Sequence, residues 1–141
     1  MNKEEAWKTL IEHLQNDKFI IPTDFLKDLK QILRKNLKGQ EKTFFNLLVK
    51  QLGYILSLDE YSVSQANSNE ILKYCTDFKC YSLHIFSSRF NVRILGTYID
   101  EKFIFLVAFY EKSNKKATDY SKNIELAKTR LNEFKGEDTY E

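Results

Sequence analysis

Proline and glycine are scarce here, one and four in 141 residues. That argues against a disordered or low-complexity chain, because both kinds are enriched in residues that resist packing. Cysteine and histidine are just as thin. Cys75 and Cys80, with His13 and His84, are the whole supply of soft ligands. They cannot furnish a structural zinc site, and no metal or other cofactor is expected. No run approaches the roughly 20 apolar residues of a membrane span. The opening MNKEEAWKTL has no apolar signal stretch, so a cytoplasmic protein with reduced thiols is expected. A large charge is missing too. The net of +2 does not describe a bulk polyanion binder.

Charge is instead placed unevenly. Residues 1–70 hold ten basic and ten acidic side chains, whereas residues 79–130 hold ten basic against five acidic, a net of +5. A locally basic half is what a phosphate-binding surface needs. Aromatics are abundant, with eleven Phe and eight Tyr. Most should fill a core, and any left exposed is a candidate for base stacking or a partner surface.

The hydrophobic period divides the chain, which at this length is expected to be one domain. Residues 2–15 place Trp7, Leu10, Ile11 and Leu14 at helical spacing, with Asn2 as a plausible cap. A second helix is expected from Thr23, its cap, through Leu26, Leu29 and Leu33, ending at Lys38-Gly39-Gln40. The third, about 42–58, is apolar nearly all round (Phe44, Phe45, Leu48, Leu52, Ile55), so it should be covered on most sides. Residues 59–78 read as a polar loop with a possible helical turn in EILKY.

From residue 79 the period falls to two. In 79–87, Tyr81, Leu83 and Ile85 share one face, while Cys80, Ser82, His84 and Phe86 share the other. A strand at 91–99 follows, then a tight link at Asp100-Glu101. The apolar run 102–111 should be a central strand covered on both faces. The basic connection SNKKAT leads to a last helix, 119–135, with Ile124, Ala127, Leu131 and Phe134 inward. The expected class is α+β: a helical part (1–58), then a three-stranded or slightly larger antiparallel sheet and a C-terminal helix (79–135).

Residues 80–131 resemble the RelE/ParE toxin superfamily, its HigB-like branch in particular. The likeness rests on Cys80-Tyr81-Ser82-Leu83-His84 at the first strand and Asn91-Val92-Arg93-Ile94-Leu95 at the second. It continues in Phe109-Tyr110-Glu111-Lys112 with Ser113-Asn114-Lys115-Lys116, and in Ile124-Glu125-Leu126-Ala127-Lys128-Thr129-Arg130-Leu131. Phe86 stands where many members carry an arginine. The resemblance implies a RelE-like fold and the toxin of a type II toxin–antitoxin pair. Such a toxin is a metal-independent mRNA endoribonuclease, working at the ribosome and held in check by an antitoxin, here expected to be a helix-turn-helix protein. In that chemistry the RNA 2′-OH attacks, leaving a 2′,3′-cyclic phosphate. The protein orients the hydroxyl, stabilises the phosphorane and moves protons.

Residue by residue, the resemblance puts Arg93 at the scissile phosphate as the transition-state cation and Lys112 on a phosphate, with Lys115 and Lys116 beside it. His84 becomes a proton carrier, since an imidazole ordinarily changes charge near neutral pH. Tyr110 is a candidate for stacking and Arg89 for backbone contact. Each has a plain structural alternative. Arg93 can pair with Glu111 across the sheet. His84 can be a hydrogen-bonded sheet residue, the lysines a solvated loop, and Tyr110 a packing residue. Within the superfamily the other activity is ParE-like inhibition of gyrase. A phage or mobile-element binding module that has lost the chemistry is a third possibility.

Overall fold

A computed structural model describes residues 3–57, 72–73, 80–112 and 116–139. In chain order the elements are α1 (Lys3–Leu14), β1 (Phe19–Ile20), α2 (Thr23–Asn36), α3 (Glu41–Ser57), β2 (Leu72–Lys73), β3 (Tyr81–Ser87), β4 (Phe90–Ile99), β5 (Lys102–Tyr110) and α4 (Lys116–Thr139). The expected α+β class is found. Five strands form one mixed sheet in the order β1-β5-β4-β3-β2. β3, β4 and β5 are an antiparallel meander. β1 joins β5 in parallel, pairing Phe19 with Phe103 and Ile20 with Ile104.

Asp100 and Glu101 turn the chain between β4 and β5. Both have positive φ, 51° and 69°. A two-residue hairpin needs such angles for its twist to match that of the strands, and glycine or asparagine usually supplies them. Farther along the same pair the ladder slips. Leu95 faces Val107 while Gly96 faces Phe105, so Leu106 is the extra residue of a bulge. The slip changes which face each side chain reaches. Phe105 and Ala108 belong to one core cluster, whereas Leu106 and Val107 both belong to the other. Gly96 has a reason to be glycine, since a Cβ there would lie 2.5 Å from the Ile104 carbonyl oxygen and from the Phe103 ring.

One face of the sheet carries Tyr81, Leu83, Ile85, Val92, Ile94, Phe103 and Phe105, under the N-terminal helices. α2 lies over β5 through Phe25, Leu29 and Ile32. α3 is wedged between α1 and β3, which explains why its sequence is apolar on more than one side. The opposite face carries Cys80, Leu95, Ile104, Leu106, Val107 and Phe109. There α4 lays Ala127 and Leu131, flanked by Ile124 and Phe134, as its spacing predicts.

The run 102–111 is, as anticipated, an inner strand, paired on one edge with β1 and on the other with β4, and Phe103 through Phe109 are all buried; β4 is the middle strand of the five. Several expectations are corrected. Leu72-Lys73 of EILKY pairs with Ser82 and Tyr81 as a strand, not a helical turn. β1, only two residues long, carries no alternation to read. Thr23 is the first residue of α2; the cap position is Pro22, which offers no side-chain acceptor. α2 stops at Asn36, ahead of Gly39, and α4 begins at Lys116, ahead of residue 119. Asn2, Cys75 and most of the expected loop at 59–78 lie outside the described residues.

The edge of β5 away from β4 holds an interaction that the sequence does not announce. Beyond β1, the Ala108 amide donates to Asp28 Oδ2 at 3.1 Å, and the Leu106 carbonyl accepts from Arg130 Nη1 at 2.7 Å. Arg130 also grips Asp28 through both terminal nitrogens, at 2.7 and 3.3 Å. A fork-shaped pair from α2 and α4 thus supplies this stretch of open strand edge with hydrogen bonds. Among the described residues no helix is long and apolar enough to cross a membrane.

Candidate nucleic-acid interface

At one end of the sheet the β3–β4 turn stands beside the exit of β5. Ser87 Oγ accepts from the Arg89 amide at 3.1 Å, which shapes the turn. Arg89 is left exposed at its tip. The Glu111 amide donates to the Asn91 carbonyl at 2.9 Å and carries the β4–β5 ladder one step past the strand. Between the two chain segments lies an open depression of about 440 Å³, lined by Ser87, Ser88, Arg89, Phe90, Asn91, Tyr110, Glu111 and Lys112. Arg89 on the β3–β4 turn therefore shares one surface with Tyr110 and Lys112 at the exit of β5. Lys112 is exposed and Tyr110 half-buried, its ring packed on the helix-covered core.

Arg93 is not part of that surface. It is 4% exposed, and its Nε donates to Glu111 Oε2 at 2.7 Å. Of the two readings of this arginine, the cross-sheet pair with Glu111 is the one observed. The register explains it. Arg93 faces Phe109, and Glu111, two residues on, projects from the same side of the sheet. Removing two charges from water is costly, and only a close, hydrogen-bonded pair offsets it.

His84 stands opposite Arg93 in the register, on the α4 side of the sheet. It is half-buried. Its Nε2 is hydrogen-bonded to Asn91 Oδ1, and its ring stacks on Phe86 with centroids 4.3 Å apart and planes 22° from parallel. Asn91 therefore joins two features: it holds His84 and it lines the depression. Lys115 lies outside the described residues, and Lys116 is the first residue of α4. Among the described residues, no three His, Cys, Asp or Glu side chains are grouped to hold a metal ion.

Comparison with protein-family models, curated proteins and solved structures gave no significant match. The site thus stands on its geometry. Five of its lining residues were missed at the sequence level, Asn91 and Glu111 with Ser87, Ser88 and Phe90. The signal for Asn91 was its place opposite Phe86, two residues from His84 on the same strand face, but nothing in a single sequence gives that register.

Proposed function

We propose that this protein is the cytoplasmic toxin of a type II toxin–antitoxin pair, an mRNA endoribonuclease that acts at the ribosome without a metal. Its partners are mRNA, the ribosome and a helix-turn-helix antitoxin. The observation that carries the reading is the meeting of Arg89, Tyr110 and Lys112 in one depression, with His84 tied to its wall through Asn91. The RNA 2′-OH attacks the adjacent phosphorus, closing the 2′,3′-cyclic phosphate as the P–O5′ bond breaks and the 5′-oxygen leaves as a hydroxyl. Lys112 and Arg89, with Lys115 and Lys116 following, bind the phosphate oxygens as charge builds on them. His84, oriented by Asn91, takes or returns a proton. Arg93 acts at one remove: it fixes Glu111 and hence the end of β5 from which Lys112 projects.

A second reading is favoured by one observation, the burial of Arg93 against Glu111. That pairing takes up the strand cation that the resemblance implied at the scissile phosphate. A protein that binds on this fold without cutting RNA, such as a gyrase inhibitor, suits it. Expression of the chain alone, with mapping of mRNA 5′ ends, separates the two. The nuclease reading expects growth arrest with new 5′-hydroxyl ends within translated messages, and roughly a hundredfold loss of cleavage in Lys112→Ala. Arrest with intact mRNA transfers the assignment to the binding reading, and no arrest removes the toxin reading altogether.

A further inference from the structure

We infer that Phe86 is the seat of an unpaired RNA base, a proposal that rests on the RNA-binding reading above and extends it from phosphate to base. Phe86 is 49% exposed, a large apolar side chain left open on a strand whose other residues are buried or half-buried. It is also held in place. One ring face lies against the His84 imidazole at 4.3 Å and 22°, so the exposure falls on the rest of the ring. His84 is in turn fixed by Asn91, the residue directly across from Phe86 in the β3–β4 register. Three side chains thus build a rigid ledge, and its last member is also a wall of the depression that holds Arg89 and Lys112.

Aromatic ledge and cationic depression are therefore contiguous, the pairing that single-stranded nucleic acid requires: a π surface for a base and positive charge for the backbone beside it. A ring already stacked on an imidazole loses little freedom when a base adds to the pile. No hydrogen-bonding group need read the base edge, so the preference should follow stacking area, purine above pyrimidine.

The test uses the full-length protein and short single-stranded oligo(A) and oligo(U) RNA. The wild type contains a single tryptophan, Trp7, in α1, so Phe86→Trp adds one reporter at the ledge. The proposal expects oligo(A) to quench the added fluorescence along the same curve as the anisotropy of labelled RNA. It expects Phe86→Ala and Phe86→Leu, both still folded by circular dichroism, to bind about tenfold or more weakly. That loss should persist at high salt, because stacking releases no counterions, whereas Arg89→Ala should flatten the salt dependence. If the wild type binds RNA but Phe86→Leu binds equally well and Phe86→Trp is not quenched, the ledge is refuted and the RNA reading stands. If the wild type binds neither oligonucleotide, both fall.

Discussion

The two faces of the sheet are built on different terms. The face under α1, α2 and α3 is mainly aromatic and aliphatic from β3 to β5, with Phe19, Phe25, Phe103 and Phe105 in edge-on or tilted contacts about 5 Å apart and the hydroxyls of Tyr81 and Tyr98 buried among them. The face under α4 is hydrocarbon only where Ala127 and Leu131 reach it. Toward the β3–β4 turn it changes to His84, Asn91, Arg93 and Glu111. Burial on the first face rests mainly on shape, the two tyrosine hydroxyls apart. On the second, each polar group needs a partner, and the partners fix a geometry that packing alone would not. The first face holds the fold together, while the second presents the candidate site.

If that contrast is right, substitutions on the two faces should fail differently. Phe105→Ala, at a fully buried ring, should lower stability by about 3–5 kcal/mol, measured from denaturant midpoints, with no polar change able to restore it. Arg93→Ala should cost a comparable ~3–5 kcal/mol, since it takes from the buried Glu111 carboxylate its charged partner at 2.7 Å. Here the loss should be recoverable: the double change Arg93→Met with Glu111→Leu should return to within about 1 kcal/mol of wild type. A double variant as unstable as the single one would mean that the two faces obey the same rule.

Smaller effects probe the seam between the faces. Asp28→Ala removes the acceptor shared by Arg130 and the Ala108 amide, and should cost about 1–3 kcal/mol. Amide exchange at Ala108 should quicken by more than that at Ile94, in the sheet interior, because only the seam is opened. The smallest change concerns neither face. Glu101→Gly relieves a positive φ of 69° at the hairpin and should raise the melting temperature, worth roughly 0.5–1 kcal/mol after glycine's own entropy is counted. A fall in stability there would mean that the Glu101 side chain contributes more than its backbone angle costs.

The periodic parts of this molecule were legible in the sequence. The alternation in CYSLHIFS places Tyr81, Leu83 and Ile85 in one cluster and Cys80 in the other, as found. The helical stripe of Ile124, Ala127, Leu131 and Phe134 meets the sheet as spaced. What escaped is what no period encodes. Two-residue strands such as Phe19–Ile20 are defined by the partner they find. The bulge at Leu106 exchanges faces inside a run that is apolar throughout, so nothing marks the slip. The Asp28–Arg130 fork joins residues 102 positions apart. For the candidate site, the sequence named Arg89, Tyr110 and Lys112 but could not separate them from Arg93. That separation depends on which strand face meets solvent and which meets Glu111.

The central claim is that the polar end of the α4-covered face, and not the helical part, receives RNA. Chemical-shift mapping of the isotope-labelled protein during titration with short single-stranded RNA tests it most directly. The account predicts that the largest shifts fall on residues 84–93 and 109–112, with Arg89, Asn91 and Lys112 foremost and α1 and α2 silent. Shifts centred on Trp7, Lys30 and Lys38, or no shifts at all at saturating RNA, would contradict it.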